Sequence, residues 1–306
     1  LNHHSIVVTP ETVKQSWNAS MHTMEQPVYN ISIPMYYQTN KYLSERGVVV
    51  TMAGDMGDEV LGGYPKYWKL RNRNVSTWTG LIEAWMNRIK RPIQVTNTPV
   101  SREDLQAYFE KTFPQELFDT KDPVNSYMAL DCVTQVPEEF FIRNDTYGMA
   151  FSMEGRFPII NKTLRDYVRA LPSELKLDEK FSDFPKTKHK YLQKKSYEGL
   201  LPDYILNHRK TGWRFPTDEI LIGRMDQPAP DKGVLKDYIR ETLNDKELMD
   251  IFEYEEKDIE DRYLNNREHV KNDKGTDKAG PGLKSQKELF CTLNFAVWKK
   301  VYNMSL

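Results

Sequence analysis

Cysteine, net charge and long apolar runs are all scarce in this 306-residue chain, and each scarcity excludes a class of protein. The two cysteines, Cys132 and Cys291, form no CxxC pair, which argues against a zinc site or a disulfide scaffold and favours a reducing, cytoplasmic compartment. A formal net charge of -1 gives no overall attraction to nucleic acid or to an anionic membrane surface. No apolar run approaches transmembrane length and no signal peptide opens the chain, so no membrane partner is expected.

Histidine clusters and the serine hydrolase elbow are also missing. The six histidines are scattered, which disfavours metal binding through imidazole, and no GxSxG sequence occurs. With 39% hydrophobic and 28% charged residues, the composition is that of a soluble globular protein long enough for a sizeable core.

The most informative stretch runs from Val48 to Tyr64, where an apolar β-branched run meets a turn rich in glycine and acid. The run predicts a strand covered on both faces, as in a parallel sheet, and ligands bind beyond the carboxyl ends of such strands. Asp55, Asp58 and Glu59 lie at that place. Two interpretations stay open: Asp58 caps a helix, or it holds Mg²⁺ against phosphates.

The order of predicted elements is typical of a parallel α/β sheet. Residues 1–70 are predicted to form the sheet region, with strands at 5–8 and 48–52 and helices starting at Pro10 and Pro34. Residues 71–306 are predicted to be mostly helical, with a charged mobile insertion at about 225–288 that includes a loop at 271–284. Helices are expected there at 81–89, from 101 onward, and at 126–134, 140–151, 162–170 and 289–302.

Three later patches contain charged residues that could belong to a catalytic or phosphate-binding site. In residues 143–158, the charged side chains among small and apolar residues are Arg143, Asp145, Glu154 and Arg156. They either form a pair of structural ion pairs inside a helical layer or include a carboxylate whose pKa is raised by apolar neighbours, so that it can act as a base. In residues 186–195, Lys188, Lys190 and Lys194 either face solvent or present positive charge to phosphates, with Lys190 and Lys194 one helical turn apart. Residues 207–216 form a basic turn with an aromatic residue, but nucleic acid is disfavoured because no basic excess occurs elsewhere.

These patches, in this order, resemble the synthetase domain of glutamine-dependent asparagine synthetases. The family signature S-G-x-G-x-D-E-x-x-G-G-Y is matched at most positions by residues 53–64, and K-x-x-L-R…L-P followed by R-K-x-G-F-x-x-P is similar to residues 190–202 and 209–216. The stretch D-x-x-x-M-x-x-S-x-E-x-R-x-P is matched by Asp145, Met149, Ser152, Glu154, Arg156 and Pro158. The likeness covers the chain outside 225–288.

The resemblance implies an ATP-pyrophosphatase fold and a two-step reaction. ATP adenylates the side-chain carboxylate of aspartate and releases pyrophosphate, and ammonia from a glutaminase domain then attacks the acyl-adenylate. Lys190 is implied to stabilise the transition state at the phosphates, and Asp55 to line the acyl site. Glu154 and Tyr64 are implied to handle protons or to shape the acyl pocket.

The resemblance also implies which residues bind the nucleotide. Asp58 is expected to hold Mg²⁺ and pyrophosphate. Ala53 and Gly54 are expected to line the adenylate site, and Lys194 to add positive charge near the phosphates of ATP.

The chain departs from the family pattern in ways that affect these expectations. The phosphate loop S-G-G-x-D-S and the glutaminase domain with its leading Cys are absent from these residues, so we expect the C-terminal part of a longer enzyme that is inactive alone. Ala53 replaces the usual Ser, Asp55 the usual Glu, and Asn161 the common Asp. The shorter Asp55 indicates a different acyl pocket.

Two rival hypotheses therefore remain. One is a related enzyme that adenylates another carboxylate, of the β-lactam synthetase or peptide-cyclising type. The other is a non-catalytic remnant that serves as a binding module. A homodimer is left open as the assembly.

Overall fold

The computed structural model describes residues 2–27, 30, 32–87, 101–178, 180, 189–208, 210, 234–259 and 286–305. The α-helices of this part of the chain are α1 (Pro10–Met24), α2 (Ile33–Ser44), α3 (Gly57–Leu61), α4 (Pro65–Arg71), α5 (Trp78–Met86), α6 (Arg102–Thr112), α7 (Pro123–Val133), α8 (Ile142–Ala150), α9 (Lys162–Ala170), α10 (Ser173–Lys176), α11 (Tyr191–Ser196), α12 (Asp203–Leu206), α13 (Val234–Leu243), α14 (Lys246–Phe252), α15 (Glu256–Asp258) and α16 (Gln286–Val301). Its strands are β1 (Val50–Met52) and β2 (Glu154–Arg156). Shorter turns of 3₁₀ or π helix lie at Gln115–Leu117, Val136–Phe141 and Pro158–Ile160.

The first helix begins where the sequence predicts it. Thr9 accepts a hydrogen bond from the Thr12 N–H (3.3 Å), and the Thr12 hydroxyl accepts one from the Thr9 N–H (2.9 Å). Pro10 takes the first helical position, where no N–H partner is needed. The strand predicted at 5–8 is wrong, because residues 2–9 are irregular and Val7 is exposed. The sheet of the described residues consists of β1 and β2, so this β-branched run has no strand to pair with.

The other predicted helices are confirmed, with ends displaced by three residues or fewer. The bounds of α9 are those predicted, since Asn161 accepts hydrogen bonds from the Thr163 and Leu164 N–H groups (3.1 and 3.4 Å) and so caps the helix. No helix in the described ranges is long and apolar enough to cross a membrane.

Helices from both ends of the chain share one core. Trp17 of α1 is fully buried, stacks on Phe290 of α16 with ring centroids 5.1 Å apart, and donates a hydrogen bond to the Asn294 side-chain oxygen (2.8 Å). Leu235 and Ile239 of α13 are buried in the same core. The two halves of the sequence are therefore packed together.

The interpretation of 225–288 as a charged mobile insertion is wrong for residues 234–259. This segment forms α13, α14 and α15, and its apolar side chains, including Leu243 and Leu248, are buried in the core that contains Trp17. Most charged residues of these helices are exposed, although Lys236 is buried, so a high charge content did not indicate a mobile segment. Residues 225–233 and 260–285, with the predicted loop at 271–284, lie outside the described residues.

A smaller core fixes the element that carries the acidic turn. Met56 and Val60 of the turn and α3 are buried against Cys132, Val136 and Val168, which come from α7, the turn after it and α9. The short helix α3 is thus anchored on larger helices on one side.

Strands β1 and β2 pair in parallel, with Val50 opposite Glu154 and Met52 opposite Arg156. The expected parallel sheet is therefore present. The prediction that the strand is covered on both faces is wrong. Val49 is 66% and Met52 73% exposed, because the described sheet has two strands and leaves these side chains partly open. The fold is mixed α/β, mostly helical, with a small parallel sheet, which confirms the predicted class. The boundary at residue 70 stays a prediction.

Candidate active site

The carboxyl end of β1 leads through a tight turn into α3. Met56 has a left-handed backbone conformation (φ 71°), which non-glycine residues adopt at a cost in energy and which is frequent at functional sites. Met56 also occupies the cap position of α3 and makes no side-chain capping hydrogen bond. The interpretation of Asp58 as the helix cap is therefore wrong. Asp58 lies inside the first turn of α3, where its carboxylate is free to contact other elements.

Two lysines from later segments meet the Asp58 carboxylate. Lys190 Nζ lies 3.1 Å from Oδ1, and Lys210 Nζ lies 3.0 Å from Oδ2. The three side chains are mostly buried, with 18% of Asp58, 23% of Lys190 and 21% of Lys210 exposed. Burial alone raises the pKa of Asp58, but the ammonium groups of Lys190 and Lys210 outweigh it and keep the pKa below its ordinary value. Lys210 is the lysine of the R-K-x-G-F stretch but was not a predicted site residue; it is 152 residues from Asp58.

The two glycines after α3 serve different geometric needs. Gly62 ends the helix in a left-handed conformation (φ 74°), which glycine adopts readily. At Gly63 the reason is space, because a Cβ there would lie 1.6 Å from Asp58 Oδ1. The Gly63 N–H also donates to the Asp58 backbone oxygen (2.8 Å). The glycine pair therefore determines where the Asp58 carboxylate lies.

Asp55, at the end of β1, faces helix α8. Asn144 Nδ2 donates a hydrogen bond to Asp55 Oδ2 (2.5 Å). Burial raises the pKa of Asp55, and the charge of Arg143 together with the Asn144 hydrogen bond limits that rise. Arg143 is buried between the rings of Tyr36 and Phe140, with its guanidinium carbon 4.8 and 5.3 Å from the ring centres. Neither Asn144 nor Arg143 was a predicted site residue, although both directly precede Asp145 of the family motif.

Glu59, which the sequence placed at the end of the strand but which was given no role there, is a buried acid. It is 1% exposed, and burial raises its pKa to about 7. The Tyr64 hydroxyl is hydrogen-bonded to Glu59, and the Tyr64 ring centre lies 5.4 Å from Lys210 Nζ and 4.9 Å from Lys66 Nζ. Burial and the Glu59 charge raise the pKa of Tyr64, so its phenol keeps its proton. This placement fits a shaping role for Tyr64, and its role in proton handling stays a prediction.

Glu154 lies in a different environment from the predicted one. Glu154 and Arg156 are both mostly exposed and form an ion pair, with Arg156 Nε 3.0 Å from Glu154 Oε1. The hydrogen bond and charge of Arg156 lower the pKa of Glu154. The prediction that apolar neighbours raise the pKa of this carboxylate is therefore wrong. Alternate residues of a strand point to the same face, and in β2 that face is open. A catalytic role for Glu154 stays a prediction.

Lys190 and Lys194, in the basic segment around α11, contact different parts of the protein. Lys190 has a left-handed backbone (φ 52°) and reaches Asp58. Lys194, one helical turn later, donates to the His208 backbone oxygen (3.4 Å). Lys188 and residues 211–216 lie outside the described residues, so most of the basic aromatic turn is untested.

A family model described as Asparagine synthase matches residues 1–299. The chain belongs to the asparagine synthase family. It is similar to asparagine synthetase [glutamine-hydrolyzing] 1 of Bacillus subtilis (strain 168), with 22% identity over 283 residues, covering 79% of this chain and 43% of that protein. It is also similar to asparagine synthetase [glutamine-hydrolyzing] 3 of the same organism, with 23% identity over 227 residues, covering 67% of this chain and 33% of that protein. The chain thus spans less than half the length of these curated relatives.

In the asparagine synthase family the matched domain is of the ATP-pyrophosphatase type, which agrees with the mixed α/β architecture. The start of the family signature lies at the end of the sheet. The Ala53 N–H donates to the Arg156 backbone oxygen (3.0 Å) and so extends the pairing of β1 with β2. A Cβ added at Gly54 would meet no atom within 4 Å, so open space lies beside this backbone. A ligand can approach Gly54 without displacing a described side chain.

The residues of this asparagine synthase family member fit Mg²⁺ carried by phosphates. Within the described ranges, no three His, Cys, Asp or Glu side chains are placed to hold a metal ion. Mg²⁺ is commonly bound by one or two carboxylates and completes its shell with water and substrate phosphates. Asp58 would supply one carboxylate to such an ion, and the ammonium groups of Lys190 and Lys210 beside it would attract phosphate oxygens.

Proposed function

We propose that this chain is the synthetase part of an ATP-dependent enzyme that converts aspartate to asparagine. Aspartate is activated as β-aspartyl-AMP with release of pyrophosphate, and ammonia derived from glutamine in a glutaminase domain then forms the amide. The observation that supports the proposal is the cluster of Asp58, Lys190 and Lys210 beside the carboxyl end of β1. An acid with two cations at this edge of a parallel sheet suits a metal-bound polyphosphate.

The activation step needs stabilisation of negative charge on the leaving pyrophosphate. A carboxylate is a poor electrophile, and transfer of AMP to it gives the carbonyl a good leaving group. Mg²⁺, when bound at Asp58, offsets charge on the phosphate oxygens. The Lys190 ammonium group, 3.1 Å from Asp58 Oδ1, would stabilise the charge that develops as pyrophosphate departs.

The amination step needs an acceptor for the proton that the attacking ammonia loses. We assign this role to Asp55, which lies at the end of β1 and is fixed by Asn144. Because burial raises its pKa, Asp55 is a better proton acceptor than an exposed aspartate. The hydrogen-bonded pair of Tyr64 and Glu59 shapes the other side of the turn.

Aspartate-dependent exchange of labelled pyrophosphate into ATP tests this function in the full-length protein. We expect exchange with aspartate and Mg²⁺, and a loss of about 100-fold or more in Asp58→Asn, since that change removes charge stabilisation at the transition state. Lys195→Met is the matched control, because Lys195 pairs with Glu198 (2.7 Å) on the exposed side of α11. This control should exchange at the wild-type rate.

The outcomes separate the rival functions. Exchange with another carboxylate but not with aspartate would assign the chain to a β-lactam synthetase-like or peptide-cyclising enzyme. A protein that binds Mg²⁺-ATP but exchanges with no carboxylate would be a binding module, and the proposed function would be wrong.

A further inference from the structure

Arg143 is a buried cation whose hydrogen-bonding capacity is only partly used. Its side chain is 4% exposed, yet Nε and Nη1 have no hydrogen-bond partner among the described residues. The guanidinium is hydrogen-bonded to the Tyr36 hydroxyl, and Glu139 Oε1 lies 3.7 Å from Nη1, which is too far for a hydrogen bond. Arginine is almost never fully buried unless it is paired, because each buried N–H without a partner costs free energy. Such a group suits a partner that binds from outside the chain.

Two features hold the Arg143 guanidinium in place. The rings of Tyr36 and Phe140 lie beside it, so the nitrogens at its edges are what it can offer to a ligand. The chain just before it forms a π-helical turn, Val136–Phe141, in which the Ile142 N–H donates to the Pro137 oxygen. Turns of this kind are frequent at functional sites. A side chain fixed in this way loses little freedom when it binds a ligand.

Glu139 is the nearest carboxylate to Arg143, and neutral groups orient it. Its Oε1 accepts a hydrogen bond from Asn30 Nδ2 (3.3 Å), and its Oε2 accepts one from Gln135 Nε2 (3.0 Å). Neutral amides fix the direction of the carboxylate but do not cancel its charge. Glu139 can therefore attract a cation.

Arg143 and Glu139 lie in the same region as Asp55. Burial raises the pKa of Tyr36, and the charges of Arg143, Asp55 and Glu139 also act on it, so all three charged groups surround one phenol. Asn144, the next residue after Arg143, holds Asp55 at the end of β1. One guanidinium and two carboxylates thus lie together beside the carboxyl end of this strand.

These charges favour one class of ligand. A simple carboxylate would pair with Arg143 but would be repelled by Asp55 and Glu139. The head group of an α-amino acid carries an ammonium group beside its carboxylate, so both of its charges have a partner of opposite sign here. The region therefore fits an α-amino acid better than a carboxylate without an amine.

We propose that Arg143 binds the α-carboxylate, and Glu139 the α-ammonium group, of the amino acid whose side chain is activated. The Glu139 side chain is 43% exposed and Arg143 lies deeper, so the head group enters past the acid and ends on the guanidinium. No covalent bond changes in this step. The inference rests on the proposed function and deepens it, because it assigns the part of the substrate that does not react.

The alternative is that Arg143 only balances the charges of Asp55 and Glu139. Loss of activity in an Arg143 variant does not distinguish the two roles, but its dependence on the substrate does. A residue that binds the α-carboxylate matters only for substrates that have this group. A structural residue affects every substrate alike.

The experiment measures pyrophosphate exchange in the full-length protein with aspartate, with β-alanine, which lacks the α-carboxylate, and with succinate, which lacks the α-ammonium group. Exchange reports the activation step alone, so the proton acceptor of the amination step does not influence it. Arg143→Met should raise the KM for aspartate about 30-fold, the size of a hydrogen bond to a charged group. Its kcat should stay within threefold, because the head group is bound equally in the ground state and the transition state.

The other substrates and variants make the test specific. Arg143→Met should change kcat/KM for β-alanine by less than threefold. Glu139→Gln should raise the KM for aspartate about tenfold and leave succinate within twofold of wild type. Arg143→Lys keeps the charge without the planar fork, so its KM for aspartate should be about threefold lower than that of Arg143→Met. The control Arg102→Met removes an exposed arginine of α6 and should behave as wild type.

Circular dichroism first establishes that each variant is folded, and Arg143→Gln replaces Arg143→Met if the latter is not. Equal losses with aspartate and β-alanine, or a fall in kcat at an unchanged KM for aspartate, would reject the proposal. A wild-type protein that does not use β-alanine agrees with strict dependence on the α-carboxylate, and the KM for aspartate then decides. Wild-type exchange with aspartate supports the proposed function even when the Arg143 variant behaves as wild type, whereas no exchange with aspartate in the wild type rejects both.

Discussion

Replacing Glu59 by Gln should stabilise the protein strongly at pH 8 and weakly at pH 5. Glu59 is 1% exposed, and among the described residues its Oε1 has no hydrogen-bond partner. Burial raises its pKa from 4.5 to about 7 in the folded protein. The folded state keeps a proton that the unfolded chain releases from about pH 4.5 upward. The free energy of unfolding therefore falls as pH rises from 4.5 to 7.

The size of the effect follows from the same shift. A rise from 4.5 to about 7 corresponds to roughly 3 kcal/mol of lost stability once the pH is well above 7. At pH 5 the unfolded chain has released most of its proton and the loss is about 1 kcal/mol. Glutamine has the same shape, carries no charge and still accepts the Tyr64 hydrogen bond. The stability gain of Glu59→Gln should thus grow by about 2.5 kcal/mol between pH 5 and pH 8.

Urea denaturation followed by circular dichroism at pH 5, 6, 7 and 8 measures this gain. Glu83→Gln is the matched control, because Glu83 is an exposed residue of α5. Its difference from wild type should stay nearly constant over this range. A gain for Glu59→Gln that is equal at pH 5 and pH 8, or a loss of stability at pH 8, would falsify the account of Glu59 as a buried acid.

Three further changes test other parts of the structure. Gly63→Ala places a Cβ on the Asp58 carboxylate and should displace it. Because a displacement of about 1 Å at a reacting group costs about 100-fold in rate, we expect a loss of that size in aspartate-dependent exchange. An unchanged rate would contradict the close approach of Gly63 to Asp58. Lys176→Met removes an ammonium group whose burial lowers its pKa from 10.5 to about 8, so urea denaturation should show a gain of about 2 kcal/mol at pH 7. The gain should shrink as the pH rises from about 8 to about 10, because the buried lysine of the folded protein is then neutral and the cost of burying its charge falls; equal gains at about pH 7 and pH 10 would contradict this. Trp17→Phe loses the hydrogen bond to Asn294 and leaves a small cavity, which should cost about 2 kcal/mol in the same assay, and a cost below 0.5 kcal/mol would contradict the packing.

Local signals determined which elements could be predicted from the sequence. Helix α1 was predicted because Thr9 and Pro10 are adjacent in the chain and their effect depends on the next few residues. The strand at 5–8 was predicted wrongly, because a strand also needs a neighbour, and no pattern within four residues reports one. The same limit explains the result for β1. Its apolar run predicted a strand correctly, but whether the side chains of that strand are buried depends on other elements.

In the candidate site too, the sequence identified individual residues but not the contacts between residues that are far apart in the chain. The motif identified Asp58 and Lys190 as members of one site, and the structure brings them to 3.1 Å. Lys210 and Asn144 lie in stretches that the motifs singled out, but neither was predicted as a site residue, because a motif does not report which side chain reaches a turn of another element. Glu154 was given the wrong environment, since whether a strand face is open depends on what packs against it.

The spacing between Asp58 and Gly63 in the motif has a structural reason. Gly63 does not need the left-handed conformation that Gly62 adopts; it is required because the Asp58 carboxylate occupies the place of its Cβ. The end of α3 brings Gly63 back beside Asp58, with a hydrogen bond of 2.8 Å between their backbones. An acid followed five residues later by a glycine thus specifies an orientation of the carboxylate, toward Lys190 and Lys210 and away from the helix. For this turn, the glycine is as much part of the proposed phosphate site as the acid, because it determines where the carboxylate lies.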